Sequence, residues 1–216
     1  MPQIFFIRHG QAAGGPSRTD HDFNLTEKGQ AQARATAEVL FGMEVRPRLI
    51  YASRLTRARQ TAEILRERLN GPPPLVRSDL IEHGSHPLLC SSIEEAVLKF
   101  PEAVTPDGQL INGGTGADGQ GLTDDFSVGG ETLLALHQRA ANAWLDIRTE
   151  ITDQEGDVLV VAHGSFLAAL MTELLGMPRR SVWGTAFPNA GFVQICLYKN
   201  ARTGEIEPVL QAYYQP

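Results

Sequence analysis

The chain has 216 residues, 42% of them hydrophobic and 20% charged, with a formal net charge of −6 and a pI near 5.5. These values fit one α/β domain with a substantial core and exclude a disordered or fibrous architecture. The acidic balance also argues against nonspecific attraction to nucleic acid.

The first apolar run, Ile4-Phe5-Phe6-Ile7, precedes Arg8-His9-Gly10. It is too short for a signal h-region or a membrane span, so it reads as a buried strand. Leu25-Thr26 introduces a helical pattern through about Leu40, with Thr26 as N-cap. Leu49-Ile50-Tyr51 reads as a second strand, and a helix from about Arg54 to Leu69 ends at Asn70-Gly71-Pro72-Pro73-Pro74. Residues 84–128 are less regular, with a short helix over Ser91 to Lys99 and a Gly-, Asp-, Asn- and Gln-rich stretch at 106–121. From Phe100 through Gln138 there are six acids and no Lys or Arg. The segment is expected to be a mobile insertion, either a solvated surface loop or a lid over the site. A helix from about Glu131 to Ile151 follows, with Gly130 or Ser127 helping to begin it. Val158 to Ala162 is a continuous apolar strand, Gly164 turns into a helix, and Gly176-Met177-Pro178 stops it. Two further strands are expected at 191–198 and 208–213, and no internal repeat is evident.

Alternating strands and helices predict a three-layer α/β domain over 1–216, a mainly parallel sheet with helices on both faces and the insertion at about 84–128 over the site. Ligands of such sheets collect beyond the carboxyl ends of the strands. His9 and His163 both stand at such ends and meet if their strands are neighbours.

Removing a phosphoryl group needs a nucleophile, cations or donors for its oxygens, and an acid for the leaving oxygen. His9 follows a buried strand, between Arg8 and a Gly10 that would let phosphate approach the backbone. Arg57 lies near the start of a helix, where its fork suits phosphate oxygens, whereas Arg54 and Arg59 read as a solvated face. His163-Gly164-Ser165 places a second imidazole before a helix N-terminus suited to anions. Ser165 lacks the G-x-S-x-G surroundings of a nucleophile elbow.

In these elements the sequence resembles the histidine phosphatase superfamily, which contains cofactor-dependent phosphoglycerate mutase, fructose-2,6-bisphosphatase and many small phosphatases. The resemblance rests on Phe6 to Gly10, Leu25-Thr26 with Gly29 and Gln32-Ala33, Ser53 to Ala62, Gly130-Glu131-Thr132 with Arg139, Ala162-His163-Gly164, and Pro188 to Gly191. It implies a metal-independent phosphatase without a cofactor, in which His9 is the phosphorylated nucleophile. Arg8, Arg57 and His163 would bind the phosphoryl group and stabilise its transfer, with Gly164 beside them. Glu82 matches the family's proton donor, but His83-Gly84-Ser85-His86-Pro87 follows where a glycine and an aromatic-acidic turn are usual, so His83 stands as the substitute. The asparagine often found in the loop after the first histidine is replaced by Ala12-Ala13-Gly14-Gly15, which leaves Gln11 to supply that contact.

A mutase is the alternative, returning the phosphoryl group to a reoriented substrate. Its multiply charged substrates call for cations, which 100–138 lacks, although Arg18, Arg77, Arg179 or Arg180 could fold over the site and supply them. A non-catalytic phosphate-binding module is the third reading, disfavoured because His9, Arg8, Arg57 and His163 are all present. Cys90 and Cys196 form no C-x-x-C pair, and His83 with His86 lacks the rest of a metal-ligand set. The expected setting is the cytoplasm, and the expected partner is a small phosphorylated substrate or a phosphoprotein, with neither nucleic acid nor membrane.

Overall fold

The computed structural model describes residues 3–13, 22–83, 127–128, 131–151, 156–179, 187–204 and 206–216. The expected helix at Ser91 to Lys99, most of the acidic insertion, His86, Arg18 and Arg180 therefore lie outside the described residues.

The first strand, β1 (Gln3–Arg8), buries its apolar run completely. It lies inside a six-stranded sheet with β2 (Pro47–Ser53), β3 (Leu75–Arg77), β6 (Asp157–Ala162), β7 (Phe192–Lys199) and β8 (Ile206–Tyr214), in the order β3-β2-β6-β1-β7-β8. β3, β2, β6 and β1 run parallel, while β7 is antiparallel to both β1 and β8. The sheet is thus mainly parallel, as the strand–helix alternation predicts. β3 was not expected from the sequence: its three residues follow the Gly-Pro run and are partly exposed at the sheet edge, so they lack a buried strand's apolar signature.

Helices α1 (Glu27–Gly42) and α2 (Thr56–Leu69) pack together on one face. Helices α3 (Leu133–Ile151) and α4 (Gly164–Leu174) pack together on the other. The period-2 alternation of β1 and β6 divides the core accordingly. Phe5, Ile7, Leu159 and Val161 join the α1–α2 side, and Ile4, Phe6, Val158, Val160 and Ala162 join the α3–α4 side.

Local chemistry sets the helix ends. Thr26 caps α1, its hydroxyl accepting from the Gly29 N–H at 3.0 Å. Leu55 at the start of α2 has no capping side chain, and Asp22 serves from a distance by accepting from the Thr56 N–H. Asn70 ends α2 in the left-handed region, at φ 53°. The α3 helix begins after Glu131 because β5 (Glu131–Thr132) pairs with β4 (Ser127–Val128) in a two-stranded ladder. The sequence pattern alone starts it about two residues early.

Two glycines bring α1 against the loop that follows β1. A Cβ on Gly10 would stand 2.3 Å from the Gly29 carbonyl oxygen, and one on Gly29 would stand 2.0 Å from that of Gln11. Gly10 therefore serves backbone packing between loop and helix. Gly29→Ala should destabilise the fold by about 1–3 kcal/mol, because both clashing partners are backbone. Thermal melting checks this, and an unchanged midpoint would contradict the contact.

Candidate active site

The register of β1 on β6 sets the centre of the site. Arg8 pairs with Ala162, and the His9 N–H donates to the Ala162 carbonyl at 3.0 Å. One residue beyond the pair stand His9 and His163, with ring centroids 5.0 Å apart in an edge-to-face arrangement. Both imidazoles are buried.

Nδ1 of His9 lies 2.7 Å from the Gly10 carbonyl oxygen. A carbonyl only accepts, so Nδ1 carries the ring proton. Nε2 then holds the lone pair, and Arg57 Nε–H donates to it at 3.1 Å. Burial pulls the His9 pKa down to about 3; the Gly10 bond opposes the shift, and the charges of Arg57 and Arg8 reinforce it. The ring is therefore neutral near pH 7, the form a histidine nucleophile needs. His163 is also held well below its ordinary pKa, first by burial and then by His9, Arg57, Arg8 and Arg139. Its Nε2 lies 2.8 Å from the Ser53 hydroxyl at the end of β2, and its buried Nδ1 has no hydrogen-bond partner among the described residues.

Arg8 donates through one terminal nitrogen to the Phe187 carbonyl, while its buried Nε has no partner among the described residues. A Cβ on Gly164 would lie 3.4 Å from the Arg8 Cζ, so the guanidinium runs beside the start of α4. Arg57 occupies the first turn of α2 and is buried. Burial lowers the pKa of both guanidiniums, and the Glu82 charge counters it. Two desolvated guanidiniums stand beside two neutral imidazoles, a concentration of positive charge and N–H donors whose chemistry suits an anion.

Glu82 reaches this centre from the turn after β3. Its carboxylate accepts from the N–H groups of Ser165 at 3.1 Å and Phe166 at 3.2 Å, in the first turn of α4, and of His83 at 2.9 Å. His83 points its Nε2 to the Glu131 carbonyl at 2.9 Å instead. Glu82, rather than His83, therefore has its side-chain charge coupled to both arginines. Gln11 is bound mainly to α1: its N–H donates to Gln32, and its side-chain and main-chain carbonyls both accept from Thr26. Arg77 is held by Asp79, Asp146 and Glu150, and Arg179 by Glu173.

The sequence reading gave no roles to Ser53, to Thr61, whose hydroxyl accepts from the Gly10 N–H, or to the Phe187 carbonyl. Ser53 and Thr61 both lie within the Ser53 to Ala62 stretch, so a sequence signal exists for them. A backbone carbonyl has no sequence signal. Among the described residues, no cluster of three or more His, Cys, Asp or Glu could hold a metal ion, and no helix is long and apolar enough to cross a membrane.

Comparison with known proteins shows the family and the fold. The profile of the histidine phosphatase superfamily (branch 1) matches residues 4–205, and the chain belongs to that family. It is 30% identical over 213 residues to a glucosyl-3-phosphoglycerate phosphatase of Mycolicibacterium vanbaalenii, covering 92% of this chain and 86% of the relative. It is 30% identical over 175 residues to a metal-independent phosphoserine phosphatase of Arabidopsis thaliana, covering 79% of this chain and 67% of the relative. The solved structure of a mycobacterial glucosyl-3-phosphoglycerate phosphatase in complex with VO3 shares the fold at a TM-score of 0.71 and 24% identity, over 98% of each chain.

The two neutral histidines leave a mark on stability. Each ring titrates near 6.5 when unfolded but stays neutral well below that in the native state. Above pH 6.5 the two states bind protons equally at these rings; as pH falls toward 3 the unfolded state binds more, and native stability is lost. His9→Asn should therefore lose less stability between pH 7 and pH 5 than the unaltered protein, as measured by denaturant melts. Equal losses would contradict a neutral buried His9.

Proposed function

We propose that the protein hydrolyses phosphomonoesters through a covalent phosphohistidine on His9. The observation that carries this reading is the His9 tautomer: Nδ1–H is committed to Gly10, and the Nε2 lone pair faces Arg57, with the charges of Arg57 and Arg8 acting on the ring. An arriving phosphate takes over the guanidinium donors and uncovers that lone pair. Nε2 then attacks phosphorus as the bond to the leaving oxygen breaks, with Arg8, Arg57 and His163 stabilising the oxygens. A proton brought by the substrate monoanion passes through Glu82 to the departing alkoxide. In the second half the carboxylate takes a proton from water, the water oxygen attacks phosphorus, and inorganic phosphate leaves with His9 restored.

Hydrolysis is favoured over a mutase reaction because, among the described residues, Arg77 and Arg179 are already engaged by carboxylates. The substrate class we favour is a small phosphorylated alcohol, in keeping with relatives named for glucosyl-3-phosphoglycerate and phosphoserine. Screening phosphorylated metabolites and phosphopeptides, beside a mutase assay, tests this choice.

Labelled substrate in excess chelator should leave an acid-labile, alkali-stable adduct on the protein, and His9→Ala should abolish it. An adduct that survives acid, or persists in His9→Ala, overturns the nucleophile assignment. For Glu82, the leaving group discriminates: an alkyl phosphate releases a basic alkoxide, whereas nitrophenyl phosphate releases a stable phenolate. Glu82→Gln should lower kcat/KM for the alkyl phosphate by about tenfold to a thousandfold more than for the nitrophenyl ester. Equal losses in a folded variant would remove Glu82 from the acid role.

A further inference from the structure

Glu82 lies on a turn that follows a three-residue edge strand, so an acid placed there needs support from elsewhere in the fold. That support comes from α3. Arg139 uses every arm of its guanidinium: Nε and one terminal nitrogen fork onto the two carboxylate oxygens of Glu131, both at 2.7 Å. Its other terminal nitrogen donates to the carbonyls of Asp79 and Ile81, each at 2.8 Å. Ile81 is the residue immediately before Glu82. On the far side of Glu82, the His83 ring donates to the main-chain carbonyl of Glu131. The same guanidinium lies 5.2 Å from the ring centroid of Phe166, whose N–H is one of the donors to Glu82.

Arg139 therefore holds the backbone before Glu82, the Glu131 carbonyl holds the His83 side chain after it, and the guanidinium touches the helix turn that receives the Glu82 carboxylate. Both side chains are mostly shielded, at 19% and 15% exposure, so the fork is less weakened by solvent than a surface pair. The network contacts neither His9 nor Arg57 in any hydrogen bond described for it. It stands against the acid and not against the nucleophile.

We infer that Arg139 and Glu131 are positioning residues for the proton donor, fixing Glu82 against the leaving oxygen. This rests on the reading of Glu82 as the acid. A misplaced acid is costly when the leaving oxygen needs a proton and nearly harmless when it does not. Loss of global structure, in contrast, lowers every substrate alike.

The test compares kcat/KM for an alkyl phosphate and nitrophenyl phosphate in Arg139→Gln, Arg139→Lys, Glu82→Gln and the double variant Glu82→Gln/Arg139→Gln. Arg139→Gln should lose about tenfold or more on the alkyl phosphate beyond its loss on nitrophenyl phosphate. Arg139→Lys should show the same discrimination, because a single ammonium cannot serve four acceptors in one plane. Adding Arg139→Gln to Glu82→Gln should cost the alkyl substrate no more than it costs the nitrophenyl ester, since the acid is already absent. If Arg139→Gln does not fold, Glu131→Gln, which keeps the shape but weakens the fork, takes its place in the same comparison. Equal losses on both substrates in Arg139→Gln, alongside clear discrimination in Glu82→Gln, would overturn the positioning role alone. Absence of discrimination in Glu82→Gln itself would instead overturn the acid reading, and the inference would fall with it.

Discussion

The parallel ladder between β1 and β6 is the constraint on which the rest depends. Its register runs from Ile4 on Val158 to Arg8 on Ala162, in the middle of the sheet, with both strands buried on both faces. Slippage by one residue would send each apolar side chain to the wrong core and move His9 out of line with His163. The same backbone pairing that organises two cores therefore also fixes the distance between the imidazoles. Precision at the site is inherited from a part of the fold that has little freedom to move.

Around that ladder, the site gathers groups that would each be unfavourable alone. Two guanidiniums are partly stripped of water, and two imidazoles are held neutral by burial. Arg57 donates to the His9 lone pair, and Glu82 supplies negative charge to both arginines. The α4 amides add donors of their own to that carboxylate. In the proposed reaction a phosphate would meet donors already desolvated and oriented, which is the condition under which electrostatic stabilisation of a transferring group is strongest.

The proposed nucleophile and the proposed acid are anchored differently. His9 follows a central strand, while Glu82 hangs from the sheet edge and is reached by helix α3 through Arg139 and by helix α4 through its first-turn amides. Chemistry at the two positions thus depends on separate parts of the chain, brought together over the carboxyl ends of the strands.

The sequence by itself determined the elements and the chemically competent residues. Apolar runs marked β1, β2 and β6, Thr26 marked the start of α1, and His9, Arg57 and His163 stood where strands give way to loops or helices. These are local signals, carried by neighbouring residues. Tertiary structure decided which strands are neighbours, that β7 runs antiparallel to β1, and that Glu131–Thr132 forms a strand rather than the first turn of α3. It also decided the His9 tautomer, the Ser53 contact with His163 and the grip of Arg139 on the backbone before Glu82. Each of these depends on a hydrogen bond or a burial shared between distant segments, and neither composition nor periodicity encodes which distant group will be the partner.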